Sequence, residues 1–316
     1  MGFEASDVVS VEYIGDYETF DLTIQDSHSF VANGVVVHNT IPKHTKWAKK
    51  LRRCFPAPPG MFILENDYSQ GELRVIACLA NEETMIEAYR QNMDLHVITS
   101  GRFAGYSYED MLKLKKENKE LFDSIRQLGK AGNFGLIYGM GAEGFQAYAE
   151  LNYGVKLALE EAAKFRNGFF ETYHQLPVYH KEYKAFAHKN GYVASPLGRM
   201  RHLPLINSSN SMVRSTAERQ SINSPVQGCL SDMLIWAISI SHQRGWFETS
   251  PCFGAIHDAK YAYIPEDNHE FYIERELEVM ENLPFEKVGW KPQLKFVADA
   301  KFGKTMASLQ EYERKK

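Results

Sequence analysis

The sequence predicts an α+β protein made of two unlike parts, and three observations lead there. The first forty residues are rich in β-branched runs separated by turn-forming dipeptides. Two apolar runs with strand character, at 61–66 and 253–256, each lead into an aspartate. Between those runs lie long stretches whose apolar side chains have helical spacing. The composition is that of a folded chain: 316 residues, 44% hydrophobic and 24% charged, with 22 Gly and 12 Pro, which excludes collagen-like and low-complexity sequences. Cys54, Cys78, Cys229 and Cys252 stand far apart with no C-x-x-C spacing, so neither a disulfide framework nor a zinc site is expected, and a reducing cytoplasm fits. No apolar run approaches the roughly 18 residues needed to span a bilayer, so no membrane partner is expected.

A net charge of −4 argues, taken alone, against a nucleic-acid partner. The average conceals a division. Residues 1–39 carry seven acids and no Lys or Arg, which leaves +3 on the remainder.

In the acidic part, Val8 to Ile14, Phe20 to Ile24 and Val35 to Val37 are β-rich runs, with turn signals at Gly15-Asp16 and Asn33-Gly34. Some 39 residues are too few for an independent core, so this piece must pack on something else. A small β-hairpin cap on the next domain is one reading. The other lies in residues 20–40, FDLTIQDSHSFVANGVVVHNT, which resemble the C-terminal end of an intein: a strand, then His38-Asn39, then a hydroxyl residue, Thr40. An Asn side-chain amide can attack its own carbonyl and cut the chain if a neighbouring donor polarises that carbonyl; His28 and His38 suit this acid and base work. Thr40 has a hydroxyl able to accept an acyl group. A complete intein begins with a Cys or Ser and needs well over a hundred residues, whereas only Met1 and Gly2 lie upstream, so the resemblance implies the C-terminal half of a split intein, with the N-intein on a separate chain. Seven acids then predict a basic N-intein, because opposite fields speed association.

The body begins with Lys43, Lys46, Lys49, Lys50, Arg52 and Arg53, a density that suits a phosphate backbone or a solvated helix face. MFILEN reads as a buried strand ending at Asp67, and an acid there is costly unless it is paired or binds a cation. Phe253 to Ile256 leads in the same way to His257-Asp258. Two strand-borne aspartates converging on one site can hold two divalent ions for phosphoryl transfer. Between them, Arg126, Lys130, Phe134 and Tyr138 are spaced by four, which places two cations and two aromatics on one helical face. That face suits a triphosphate and a base, or else a core helix with snorkelling cations. Gly129, Gly132 and Gly135 each cost a helix about 1 kcal/mol, which favours a site where something approaches the backbone or where the helix moves.

DYSQGELR (67–74), RQLGKAGNFGLIYG (126–139), GYVASPLGRMRHLP (191–204), AERQSINSPVQG (217–228) and IHD (256–258) resemble, in order, motifs of family A DNA polymerases, the group of bacterial DNA polymerase I and T7-like phage replicases. The resemblance implies a palm with an antiparallel sheet at about 40–75 and 225–316, and mostly helical fingers at about 76–224. It implies a DNA-directed DNA polymerase using two Mg²⁺ ions, with primer-template DNA and dNTPs as partners. Carried over by position, Asp67 and Asp258 are metal ligands with the Tyr68 carbonyl. Gln70 and Glu72 lie at the nucleotide, Glu72 as the gate against a 2′-hydroxyl. Arg126 and Lys130 bind triphosphate, Lys130 also as general acid; Phe134 packs on the sugar and Tyr138 near the templating base. Arg199, Arg219, Asn223, Gln227 and His257 hold primer and template.

Two departures stand out. Ala259 replaces the family's Glu after His-Asp, which predicts an altered rate or metal use, and Gly71 replaces a bulky aliphatic, which predicts a looser turn at Glu72. The thumb and any exonuclease lie before the point matching Thr40, so a separate chain carrying the N-intein and the N-terminal polymerase half is expected. Joining through Thr40 by trans-splicing would give the active enzyme, in the cytoplasm and, by analogy with phage replicases, of an infected bacterium. The alternatives are a single-subunit RNA polymerase sharing the palm, or a nucleic-acid-binding relic that lost catalysis with Ala259.

Overall fold

The computed structural model describes residues 30–32, 35–37, 48–256 and 258–314, in two compact units, Met1–Phe55 and Pro56–Lys316. In the first, β1 (Phe30–Ala32) and β2 (Val35–Val37) form an antiparallel hairpin in which Ala32 pairs with Val35. Asn33-Gly34, the turn dipeptide read from the sequence, lies between these strands and outside the described residues. Helix α1 (Ala48–Arg53) carries Lys50, Arg52 and Arg53 in its last turn, where cations favour the helix dipole. The earlier β-rich runs, Lys43, Lys46, His28, His38, Asn39 and Thr40 lie outside the described residues, as does His257.

The second unit opens with β3 (Met61–Tyr68), followed by α2 (Gly71–Ala80), α3 (Glu83–Arg90), α4 (Leu95–Ala104), α5 (Tyr108–Glu117) and α6 (Lys119–Leu136). Next come α7 (Ala142–Tyr153), α8 (Leu159–Thr172), α9 (Gln175–Asn190), the hairpin strands β4 (Tyr192–Ala194) and β5 (Met200–His202), and the long α10 (Ser211–Gln243). The chain returns through β6 (Cys252–Ile256), β7 (Ala259–Pro265), α11 (His269–Glu281), β8 (Ala298–Gly303) and β9 (Gln310–Glu311). The fold is α+β, as the sequence predicts: an antiparallel five-stranded sheet, β6-β7-β3-β8-β9, with helices. Helix α10 runs unbroken across the expected palm–fingers division at 224/225 and holds Pro225 in its interior.

Alternation along β3 sorts its two faces. Leu64, Asn66 and Tyr68 point one way, and the Tyr68 hydroxyl donates to the Met280 carbonyl of α11 at 2.9 Å. On that face the register partner of Asn66, Lys260, forms a fully buried ion pair with Glu276 of α11, which also accepts from Ser241 of α10 at 2.8 Å. Glu65 and Asp67 point the other way, with Ala259 and Tyr261 of β7 and Asp299 and Lys301 of β8 as their partners.

Among the helices, α6 crosses α4 at very short range. A Cβ on Gly129 would sit 2.1 Å from the His96 carbonyl oxygen, so only glycine permits this approach. Close backbone approach therefore accounts for the glycine at 129. Tyr138 falls two residues past the end of α6, in the turn that follows, not on the helix proper.

Candidate functional site

The strand register brings the two predicted aspartates together. Asp67 pairs with Ala259, the first residue of β7, which sets Asp258, just before that strand, one residue from the position opposite Asp67. On its other side Asp67 pairs with Asp299. Ala259 is fully buried, so position 259 offers no carboxylate and little room for one; the acid next to Asp67 in the sheet is Asp299. Glu65, Asp67, Asp299, Lys301 and Glu311 line a small cleft of about 90 Å³. Within it, Glu65 accepts from the Tyr261 hydroxyl at 2.5 Å, and the Lys301 ammonium is held charged first by Glu311. Tyr68 turns its ring into the core, leaving only its backbone for the site.

Glu72 stands in the first turn of α2, where an acid suits the helix dipole. The Tyr138 hydroxyl donates to Glu72 Oε2 at 2.6 Å, joining α2 to the turn after α6. Burial pushes the Glu72 carboxyl up; the Tyr138 and Gln227 hydrogen bonds oppose this, and the nearby Asp258 charge adds to it. The Tyr138 hydroxyl is itself pushed well up, by burial and by Glu72. Gln70 adopts a left-handed backbone, φ 51° and ψ 41°, and its side chain accepts from the Tyr89 hydroxyl at 3.0 Å. The looser turn expected from Gly71 does not appear: the space beside it is filled by Leu230 and Tyr68.

Arg126, Lys130 and Phe134 converge on a residue the sequence reading did not single out, His96 in the first turn of α4. Its ring lies 5.6 Å from that of Phe134 and bonds Asn133 Nδ2 at 2.9 Å. Burial holds its pKa down to about 4; Asp94 opposes this, and the Arg126 and Lys130 charges reinforce it, so the imidazole is neutral at pH 7. Asp94 organises this corner. Its Oδ1 caps α4 by accepting from the His96 amide at 2.9 Å, and its Oδ2 takes Arg126 Nε and Nη2 at 2.8 and 2.6 Å. The signal for His96 was an Asp-x-His at a helix start, since the cap fixes which residues form the first turn.

The residues expected to hold nucleic acid divide. Arg219, Asn223 and Gln227 recur every four positions along α10 and so share a face. Arg219 is exposed and bonds Ser215 and Thr216 of its own helix at 2.9 and 3.0 Å. Asn223 Oδ1 is buried with no partner among the described residues. Gln227 lies near enough to the Glu72 carboxyl to favour its charged form. Arg199, between β4 and β5, is tied to Asp232 of α10.

The sequence profile of DNA polymerase family A matches residues 38–308. The chain belongs to DNA polymerase family A. Residues 1–37 of this family A chain lie outside the match. It is 34% identical to DNA polymerase I of Pseudomonas aeruginosa over 194 residues, 61% of this chain and 20% of the relative. It is 29% identical to the thermostable DNA polymerase I of Thermus thermophilus over 271 residues, 86% of this chain and 30% of the relative. Among solved structures, the POL domain of Pol1 from M. smegmatis, in complex with DNA primer-template and dNTP, superposes with a TM-score of 0.69 at 25% identity, over 85% of this chain and 44% of that one. The family A chain thus spans about a fifth to a third of the curated polymerases it resembles. No helix among its described residues is long and apolar enough to cross a membrane.

Proposed function

We propose that residues 40–316 are the C-terminal catalytic part of a template-directed DNA polymerase, with palm and fingers divided at about 75 and 225. Residues 1–39 are proposed to be a split-intein C-terminal fragment that joins this part to an N-terminal half on another chain. The observation that carries the polymerase reading is the sheet register that sets Asp258 beside Asp67, with Glu72 close enough to feel the Asp258 charge. A relative captured with primer-template DNA and dNTP supports the same substrates here.

Mg²⁺ keeps several waters and takes one or two protein carboxylates plus substrate phosphates. Asp67 and Asp258 with the Tyr68 carbonyl fit that donor set, and among the described residues no cluster of three or more His, Cys, Asp or Glu offers a fuller cage. When bound there, two Mg²⁺ ions would supply activation of the primer 3′-hydroxyl and stabilisation of the departing pyrophosphate. The chain's own residues do the rest. Lys130 and Arg126, the latter oriented by Asp94, bind the triphosphate, and Lys130 gives a proton to the leaving group. Neutral His96 offers a hydrogen bond beside them without adding charge. Phe134 packs on the sugar, Glu72 excludes a 2′-hydroxyl, and Tyr138 stands by the templating base while holding Glu72. Gln70 lies at the nucleotide, and Arg199, Arg219, Asn223, Gln227 and His257 lie along primer and template.

The intein reading is supported by the family match beginning at His38, by the β1–β2 pairing and by the seven acids of residues 1–39. His28 and His38 would assist cyclisation of Asn39, and Thr40 would receive the incoming acyl group. The test is to mix the chain with a partner carrying a basic N-intein and the polymerase front half, then weigh the products. A ligated polypeptide that disappears with Asn39→Ala is expected, forming more slowly as salt rises. Absence of any ligated mass contradicts the splicing reading.

A further inference from the structure

We propose that Asp232 is a positioning residue for nucleic acid: it grips one edge of the Arg199 guanidinium, so that the opposite edge is presented as a preset fork for a backbone phosphate of primer or template. The inference rests on Arg199 lying along primer and template. To that reading it adds Asp232, an acid that a charge count alone would expect to repel DNA.

Arg199 starts from a fixed backbone. Its amide donates to Ser195 Oγ at 3.2 Å and its carbonyl accepts from the Ser195 amide at 2.9 Å, which closes the loop between β4 and β5. Gly198 permits that turn with φ 90°, a region that residues with a Cβ rarely adopt. The side chain then runs along α10. A Cβ on Gly228, the residue after Gln227, would lie 3.3 Å from Arg199 Cδ, so the stem rests against the helix. About one turn further on, Asp232 takes the head: Arg199 Nε at 2.8 Å and Nη2 both donate to Asp232 Oδ1.

A guanidinium carries five N–H donors in a rigid plane. The Asp232 bonds use its Nε–Nη2 edge. Nη1 and the second Nη2 hydrogen, which make up another edge, bond no acceptor among the described residues. The Arg199 side chain is 52% exposed against 19% for Asp232, so the carboxylate covers the inner edge and leaves the outer one to solvent. Two parallel N–H donors match two oxygens of a phosphate. Because the pair carries no net charge, what it offers DNA is geometry: the rotamer freedom a lone Arg surrenders on binding has already been surrendered on folding. Asp94 grips the same Nε–Nη2 edge of Arg126.

The full chain is titrated against fluorescein-labelled primer-template DNA, anisotropy giving Kd at several salt concentrations and thermal melts checking that each variant folds. Arg199→Ala should weaken binding roughly tenfold, the worth of a hydrogen bond to a charged group, and make the dependence of log Kd on log salt shallower by about 1. Asp232→Ala should also weaken binding, about threefold or more, although it removes a negative charge and on charge alone should strengthen it. Asp232→Asn has the same net charge as Asp232→Ala but keeps an acceptor for Arg199, and should recover much of that loss. Adding Asp232→Ala to Arg199→Ala should cost nothing further, whereas an acid that merely steadied α10 would weaken both backgrounds alike. Equal weakening in both backgrounds, or unchanged or tighter binding by Asp232→Ala beside a weakened Arg199→Ala, would overturn the positioning role. An Arg199→Ala chain that binds as wild type would instead overturn the placement of Arg199 on nucleic acid, and a wild-type chain that binds no primer-template DNA at low salt would overturn the placement of DNA on this chain.

Discussion

Tyr138 donates its hydroxyl hydrogen to Oε2 of Glu72 at 2.6 Å, linking two residues 66 positions apart at the mouth of the strand that carries Asp67. The bond leaves a carboxylate in a buried place, and burial has raised its pKa above 4.5. The unfolded state releases this proton more readily than the folded one, so the linked stability is full below pH 4.5 and is lost as pH rises through the folded value. Glu72→Gln, which keeps a hydrogen-bonding side chain without the titration, should flatten the fall in Tm as pH rises above 4.5. A fall identical to wild type would show that Glu72 titrates normally.

His96 and His180 behave in the opposite sense. Burial depresses both to about 4 from 6.5, with His180 Nε2 on the Ile137 carbonyl at 2.7 Å. Their contribution is present above pH 6.5 and is lost as pH falls through 4, as the unfolded chain takes up protons first. Each is worth roughly 3 kcal/mol. Urea melts of His96→Asn should show a markedly shallower loss of stability between pH 6.5 and 4 than wild type.

The Lys260–Glu276 pair is fully buried and anchors β7, the strand that follows Asp258, to α11. Removing one partner strands a buried charge, so Lys260→Met or Glu276→Leu should each cost about 3–5 kcal/mol. Replacing both with apolar residues should recover most of that. Denaturant midpoints of the two single variants and the double variant decide it; a double variant as unstable as either single one would contradict the pairing.

Gly129→Ala should destabilise the chain by about 1–3 kcal/mol, as overpacking does, although Gly→Ala in an open helix usually stabilises by about 1 kcal/mol. The His96 carbonyl at 2.1 Å from the added carbon reverses the sign. A rise in Tm would show that α4 and α6 do not approach as described.

Much of this arrangement was legible in the sequence because local rules and tertiary packing agree. The apolar run before Asp67 forms β3, and the run before Asp258 forms β6. Arg126, Lys130 and Phe134 share a face of α6 because four-residue spacing nearly completes a turn. Other features depend on distant partners that spacing does not encode. His96 joins the site only because α4 and α6 cross at Gly129, and Asp94 reaches Arg126 across 32 residues. The loose turn expected at Gly71 is absent because Leu230, 159 positions later, fills the space. An acid flanks Asp67 from β8 and not from position 259, which required the strand order.

The central claim is that Asp67 and Asp258 serve template-directed DNA synthesis, and primer extension tests it most directly. The chain, joined to its N-terminal half, is given primer-template DNA, dNTPs and Mg²⁺, beside the same assembly carrying Asp258→Ala. The account predicts template-dependent extension by the wild type, loss of at least a thousandfold with Asp258→Ala, on the order of the several kcal/mol that metal-borne charge stabilisation supplies, and little or no extension by the unjoined chain. A joined wild-type chain that fails to extend, or an Asp258→Ala chain that extends equally well, would contradict it.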